Sequence, residues 1–151
     1  MVRWWCSRIF VRSACGLLAA RSISSGLIVT ATKIDDASAI AALLFQEPNG
    51  EAIARQLEGF RLVAPSLFSY ELANVCWLKC RRFPLDQDML LAGFAQRGRL
   101  DIEECAVDHD GVIRLAAVTG LTAYDASYLW LARRLGAELV TLDAALRRAS
   151  S

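Results

Sequence analysis

Four short apolar segments, at residues 28–36, 62–64, 100–106 and 139–142, are too brief for helices and are parted by helical stretches. The helical pattern covers residues 38–45, 51–57, 66–82, 86–97, 108–119, 122–135 and 143–149. Its ends are marked by breakers: the turn cluster Glu47-Pro48-Asn49-Gly50, then Gly59, Phe83-Pro84, Gly98 and Gly136. Pro65-Ser66 reads as the start of the third helix, and Thr122 as the N-cap of the sixth. Strands that alternate with helices form a parallel sheet covered on both faces. The expected architecture is therefore α/β, a three-layer α/β/α sandwich with a mainly parallel central sheet. Helices come in pairs before the third and fourth strands, which makes the chain more helical than a simple doubly wound fold.

With 151 residues, one domain is expected, able to bury about two-thirds of its unfolded surface. Hydrophobic residues make up 55% of the chain, yet no run reaches the roughly 20 apolar residues that span a bilayer. The longest candidates are cut by Arg12, Arg21 and Asp35, so a soluble chain without a membrane span is expected. The net charge of +1 is unevenly distributed. Residues 1–34 carry Arg3, Arg8, Arg12, Arg21 and Lys33 and no acid, a charge of +5, which leaves residues 35–151 at −4. A generally basic nucleic-acid binder is excluded; any nucleic acid would be met through a local patch or through metal ions. The five cysteines lack paired zinc spacing: Cys76 and Cys80 share a helical face, but no second pair or histidine joins them. They read as small buried residues in a reducing cytoplasm.

Residues 1–26 form a basic N-terminal extension rich in Arg, Ser, Trp and Cys, without acid. A secretory signal would want a cleaner apolar core than one interrupted by Arg12. A mitochondrial-type presequence fits the composition better. The preferred reading is an extension outside the native fold, disordered or translated from upstream of the true start, because the fold signals begin only at Leu27. The domain is accordingly expected over residues 27–151.

Four carboxylates sit where a charge is out of place. Asp36 ends the first strand signal, and Asp143 closes the last. Asp125 lies in the first turn of an apolar helix, and Glu71 falls on the apolar stripe of Phe68, Val75 and Leu78. Singly, three of them have structural readings: Asp36 and Asp143 as N-caps, Asp125 as a partner of the helix dipole. Glu71 is different, because no Lys or Arg stands three or four residues away on its helix. A buried glutamate of that kind needs a partner from elsewhere. In open parallel sheets, ligands bind beyond the carboxyl ends of the strands, where Asp36 and Asp143 fall. Four carboxylates and a single histidine, His109, favour hard cations bound through oxygen. Two-histidine acid–base cleavage is unavailable. No nucleophile elbow or Gly-rich phosphate loop is present either. Carboxylates holding a divalent ion can instead activate water for in-line displacement at phosphorus.

The motifs Asp36-Ala37-Ser38-Ala39-Ile40, Ala64-Pro65-Ser66-Leu67 leading to Tyr70-Glu71-Leu72-Ala73-Asn74-Val75, Leu121-Thr122-Ala123-Tyr124-Asp125-Ala126-Ser127-Tyr128 and Leu139-Val140-Thr141-Leu142-Asp143 stand in order. Residues 27–151 thereby resemble a PIN-domain ribonuclease of the VapC toxin type. The resemblance implies a PIN-like fold and a Mg²⁺-dependent endoribonuclease, with Mn²⁺ as an alternative ion. It assigns Asp36 and Asp125 as principal metal ligands. Glu71 and Asp143 would bind the ion directly or through water. Ser38, Asn74 and Thr141 would hold the carboxylates by hydrogen bonds, unless they serve as capping or back-bonding residues. An RNA substrate, a cognate VapB-like antitoxin and a homodimer are also implied. Asp35 departs from the pattern, taking a place that in the family is usually apolar. Either it points into a covered face, or the strand ends one residue early and leaves it at the rim. Two other readings are set beside this one: a catalytically inactive PIN-like binding module, and a Mg²⁺-binding receiver-like phospho-acceptor suggested by Asp35-Asp36.

Overall fold

The computed structural model describes residues 31–151. Four strands, β1 (Thr32–Asp35), β2 (Arg61–Pro65), β3 (Glu103–Cys105) and β4 (Glu138–Val140), form one sheet in the order β3-β2-β1-β4. Every neighbouring pair is parallel, with Ile34 opposite Val63 on one side and Leu139 on the other. Seven helices connect and cover the strands: α1 (Ala37–Leu44), α2 (Gly50–Leu57), α3 (Phe68–Arg82), α4 (Gln87–Ala95), α5 (His109–Thr119), α6 (Ala123–Leu135) and α7 (Ala144–Ser150). The three-layer α/β/α expectation holds. The extension at residues 1–26, and the start of the first strand expected at residue 28, lie outside the described residues.

The sheet order explains the layers. Parallel crossovers are right-handed. The connections from β1 to β2 and from β2 to β3 step in one direction, and the connection from β3 to β4 steps back across the sheet. The α1–α4 group therefore covers one face, and α5 and α6 the other. The packing agrees: α1 lies on α2 and α3, α3 on α4, while α6 lies on β1, β2 and β4 and against α5 and α7. Ile34, Ile40, Val63, Leu72, Tyr128, Leu129 and Leu146 are almost fully enclosed. The apolar faces of α6 are accounted for largely by this burial, with Tyr124 left exposed.

Several boundaries differ from the sequence expectation. Pro65 ends β2 rather than opening a helix, and α3 begins at Phe68. The single helix expected over residues 86–97 is a short 3₁₀ turn (Pro84–Asp86), α4, and a second 3₁₀ turn (Gln96–Arg99) containing Gly98. β3 and β4 are shorter than their apolar runs. Thr122 caps α6 as expected, its hydroxyl accepting from the Asp125 amide at 3.1 Å. Gly136 closes the helix at φ 59°, a left-handed conformation open to glycine. Cys76, Cys80 and Cys105 are free thiols.

Asp35 is the last residue of β1 and is wholly enclosed, so it points into the covered layer and not to a rim. Strand alternation puts it on the same face as Lys33, whose ammonium is bonded to Glu138 at 3.1 Å and lies over the Phe60 ring. Neither oxygen of Asp35 has a hydrogen-bond partner. Burial pushes its pKa up to about 7, against a smaller lowering by Lys33.

Candidate active site

β1 is the strand at which the chain changes direction: its own connection leaves towards β2, while β4 arrives on its other side. Such a switch point leaves a crevice beyond the carboxyl ends of the two strands. Asp36 follows β1, and Thr141 to Asp143 follow β4, so both segments open into it. The two are tied by the Asp36 amide, which donates to the Val140 carbonyl at 3.0 Å.

Asp36 occupies the N-cap position of α1 but makes no capping bond with its side chain. Its Oδ2 instead accepts the hydroxyls of Ser38 and of Thr141, the latter at 2.8 Å. Both hydroxyl oxygens are in turn held by backbone amides of the β4–α7 turn. Leu142 donates to Ser38 Oγ at 3.0 Å, and Asp143 to Thr141 Oγ1 at 3.0 Å. With the amides filling their acceptor sites, both hydroxyl protons are directed at Asp36.

Glu71 lies in the first turn of α3 and accepts at Oε2 from the Tyr128 hydroxyl at 2.5 Å. The partner that the sequence required for Glu71 is therefore a buried phenol from α6. Tyr128 went unassigned in the sequence, although a buried tyrosine hydroxyl normally finds an acceptor. Asp125 accepts at Oδ2 from Thr122 Oγ1 at 2.7 Å. One oxygen of each carboxylate is thus fixed by a hydroxyl. Among the described residues, the second oxygen of Glu71 and of Asp125 receives no hydrogen bond, and Asp36 Oδ1 has no side-chain donor.

The electrostatics show that these three face one another. Burial is the largest cause of a raised pKa at Asp36; the Ser38 and Thr141 bonds oppose it, and the negative charge of Asp125 adds to it. Glu71 is likewise raised by burial first, opposed by the Tyr128 bond, then raised by the charges of Asp36 and Asp125. Tyr128 is pushed up by burial, then by its bond to Glu71 and the charges of Glu71 and Asp36. Among the described residues no Lys or Arg forms an ion pair with any of the three.

Asp143 is placed differently. Its Oδ1 caps α7 by accepting from the Leu146 amide at 2.7 Å. Its charge contributes to the shift of neither Asp36 nor Glu71. It belongs to the same edge through its backbone bond to Thr141. Asn74 is exposed on α3 and makes no hydrogen bond to the carboxylates. Ser38 and Thr141 are hydrogen-bonded to Asp36; among the described residues Asn74 has no such bond.

The donor set has the chemistry of a hard cation site: oxygen ligands, excess negative charge and no basic neighbour. Among the described residues, however, no group of three or more Asp, Glu, His or Cys side chains is gathered closely enough to grip an ion as it stands. The carboxylates converge electrostatically without meeting in one coordination sphere.

An all-parallel sheet of order β3-β2-β1-β4 with acidic residues at its switch point defines a class, and a PIN domain model matches residues 34–151. The chain belongs to the PIN-domain family. It is of the VapC type within that family. It is 36% identical over 113 residues to Ribonuclease VapC3 of Pyrobaculum aerophilum, a match spanning 72% of this chain and 86% of that protein. The crystal structure of PAE2754 from Pyrobaculum aerophilum superposes with a TM-score of 0.66 at 28% identity, covering 82% of this chain and 87% of that one. The order also differs from the 2-1-3-4-5 order of flavodoxin-like sheets, so the receiver-like reading is set aside. Among the described residues no helix is long and apolar enough to cross a membrane.

Proposed function

We propose that this protein is a divalent-metal-dependent endoribonuclease acting as the toxin of a toxin–antitoxin pair. One observation carries the reading: Asp36, Glu71 and Asp125, from three distant segments, bring uncompensated negative charge to one crevice. The similarity to a protein named as a ribonuclease supports RNA as the substrate. Asp36, Asp125 and Glu71 would hold Mg²⁺ or Mn²⁺, with Asp143 contributing from the edge through Thr141. Bound there, the ion supplies the positive charge that makes water a better nucleophile near neutral pH and stabilises the phosphoryl oxygens during in-line displacement.

The chain's own residues have separate tasks. Ser38 and Thr141 fix the rotamer of Asp36 and favour its ionised form against the effect of burial, because both donate to it and neither can turn away without losing a backbone amide. Tyr128 orients Glu71 so that one oxygen is held and the other is free to bind a ligand or direct a water. Thr122 does the same for Asp125. A VapB-like antitoxin that covers the crevice, a homodimeric state and a cytoplasmic site of action complete the proposal.

The spread of the carboxylates favours one other reading, a PIN-like module that binds RNA or protein without turnover. Cleavage assays separate the two. The chain should cut RNA with Mg²⁺ or Mn²⁺ and stop with EDTA. Asp36→Asn, Glu71→Gln and Asp125→Asn should each lower the rate at least ~100-fold, on the order of what removing one stabilising group in an active site does. Their circular dichroism should match the parent. Metal-independent cleavage, or activity that survives all three changes, would refute the site.

A further inference from the structure

Between α5 and α6 lies a cavity of about 550 Å³, with Gly111 and Arg114 on one wall and Trp130, Arg133 and Arg134 on the other. A helix turns once in about 3.6 residues, so residues 130, 133 and 134 lie on the side of α6 away from Tyr128. Tyr128 is the residue that reaches Glu71, and the cavity is therefore separate from the carboxylate crevice. Three guanidinium groups line it, and among the described residues no Asp or Glu does. Arg133 donates to the Ala149 carbonyl at 3.5 Å, whereas Arg114 and Arg134 make no hydrogen bond or ion pair with the described residues. Arginines elsewhere are taken: Arg55 by Glu51, Arg61 by Glu103, Arg81 by the Trp77 ring. The nearby Asp108 is committed to capping α5, its Oδ2 accepting from the Gly111 amide at 3.2 Å. The dipole of α6 favours Arg133 and Arg134, which stand in its last turn. It does not account for Arg114, in the middle of α5, nor for three like charges around one space. Trp130 is half-buried, and its place depends on Gly111, where a Cβ would stand 2.6 Å from the indole Nε1. Among the described residues its N–H has no acceptor and no cation covers its ring.

We propose that this cavity binds a free nucleotide, whose phosphates are received by Arg114, Arg133 and Arg134 and whose base lies against Trp130. Arginine presents paired N–H donors that match two phosphate oxygens at once. An indole takes a planar aromatic ring by stacking, and needs no hydrogen-bond code to do so. The volume falls in the range of small-molecule and cofactor sites, and a bare inorganic anion would leave most of it empty. The ligand class follows from the combination: several negative charges for three cations, and an aromatic ring for Trp130. The site stands apart from the nuclease reading, because it uses none of Asp36, Glu71 and Asp125 and needs no metal ion.

Titration calorimetry of the full chain with ADP tests this, in EDTA so that no metal ion carries the nucleotide to the carboxylates. ADP should bind one per chain with Kd below about 1 mM. Adenosine and inorganic phosphate, each a part of the ligand, should both bind more weakly by at least about tenfold. Arg114→Gln and Arg134→Gln should each weaken ADP by about 10- to 100-fold, the range for removing hydrogen bonds to a charged group. Both side chains are exposed, so thermal melts of these variants should match the parent and separate lost binding from lost folding. Arg55→Gln, on α2 beyond the sheet, is the control for lost charge and should stay within about twofold of the parent, since salt screens so remote a group. Absence of ADP binding in the parent overturns the proposal, as does unchanged binding in both Arg114→Gln and Arg134→Gln. Inorganic phosphate as tight as ADP also overturns it and reduces the cavity to a bare anion site. Adenosine as tight as ADP overturns the role of the arginines and the proposal with it. An oligoribonucleotide with hydroxyl ends that displaces ADP at equal affinity overturns it as well, and makes the groove a surface for RNA backbone.

Discussion

Asp35 and Glu71 are both carboxylates in apolar surroundings, and the structure treats them in opposite ways. Glu71 receives a phenol and faces an open crevice; Asp35 receives nothing. An unpaired buried carboxyl escapes the expense of burying a charge by keeping its proton. With its folded pKa raised from 3.8 to about 7, the unfolded chain releases the proton at lower pH than the folded one. Stability is then fully present below about pH 4, falls as pH rises towards 7, and is flat above; the loss is about 4 kcal/mol. Asp35→Val should remove that slope and melt higher at pH 8, with little difference near pH 4. Thermal melts of both proteins from pH 4 to 8 measure this. Parallel pH profiles would mean that Asp35 finds a partner in solution.

At the scale of elements, the ends of helices and strands supply the site. Asp36 begins α1, Glu71 sits in the first turn of α3, Asp125 in that of α6, and Asp143 caps α7. Thr122 has two roles at the start of α6, accepting from the Asp125 amide and donating to its carboxylate. Thr122→Ala should lose about 1 kcal/mol of stability as a missing N-cap. Its ion affinity should fall as well, because Asp125 is then free to rotate; Thr122→Ser should restore both. Calorimetric Mg²⁺ titration alongside denaturant unfolding distinguishes the two effects, and a stability loss with unchanged ion affinity would leave Thr122 purely a cap. Packing between elements is equally demanding at Gly50, where an added Cβ would lie 2.5 Å from the Ala42 carbonyl oxygen. Only a glycine lets α2 approach α1 that closely. Gly50→Ala should lower stability by about 1–3 kcal/mol in the same unfolding experiment, and a neutral result would show that the helices can part without loss.

For the whole molecule, the crevice gathers more negative charge than it neutralises. Asp36 and Glu71 hold protons more tightly than ordinary carboxylates, through burial first; the charge of Asp125 adds to both, and that of Asp36 adds to Glu71. An ion must displace those protons. Mg²⁺ affinity should therefore drop as pH falls below neutrality, starting above the usual carboxylate range, and binding should release protons. Titration calorimetry at pH 5.5 and 8 in buffers of different ionisation enthalpy reads both. Affinity independent of pH would place the ion elsewhere.

Much of this was legible in the chain. Asp36, Asp125 and Asp143 fell at strand ends and helix starts because apolar periodicity stops there, and Glu71 was conspicuous because it broke a stripe. The alternation of strands and helices carried the parallel sheet. Helix boundaries were less legible around Pro65 and Gly98, where local turn chemistry yields to the sheet register and to 3₁₀ winding. The meeting of Glu71 with Tyr128 could not be read in advance, nor could which carboxylate Thr141 holds. Pattern and period describe a residue relative to its own element, whereas these contacts span 57 and 105 positions and depend on how elements stack. The same limit applies to Asp35: alternation gave its face, and only the packed layer above it shows that no donor reaches it.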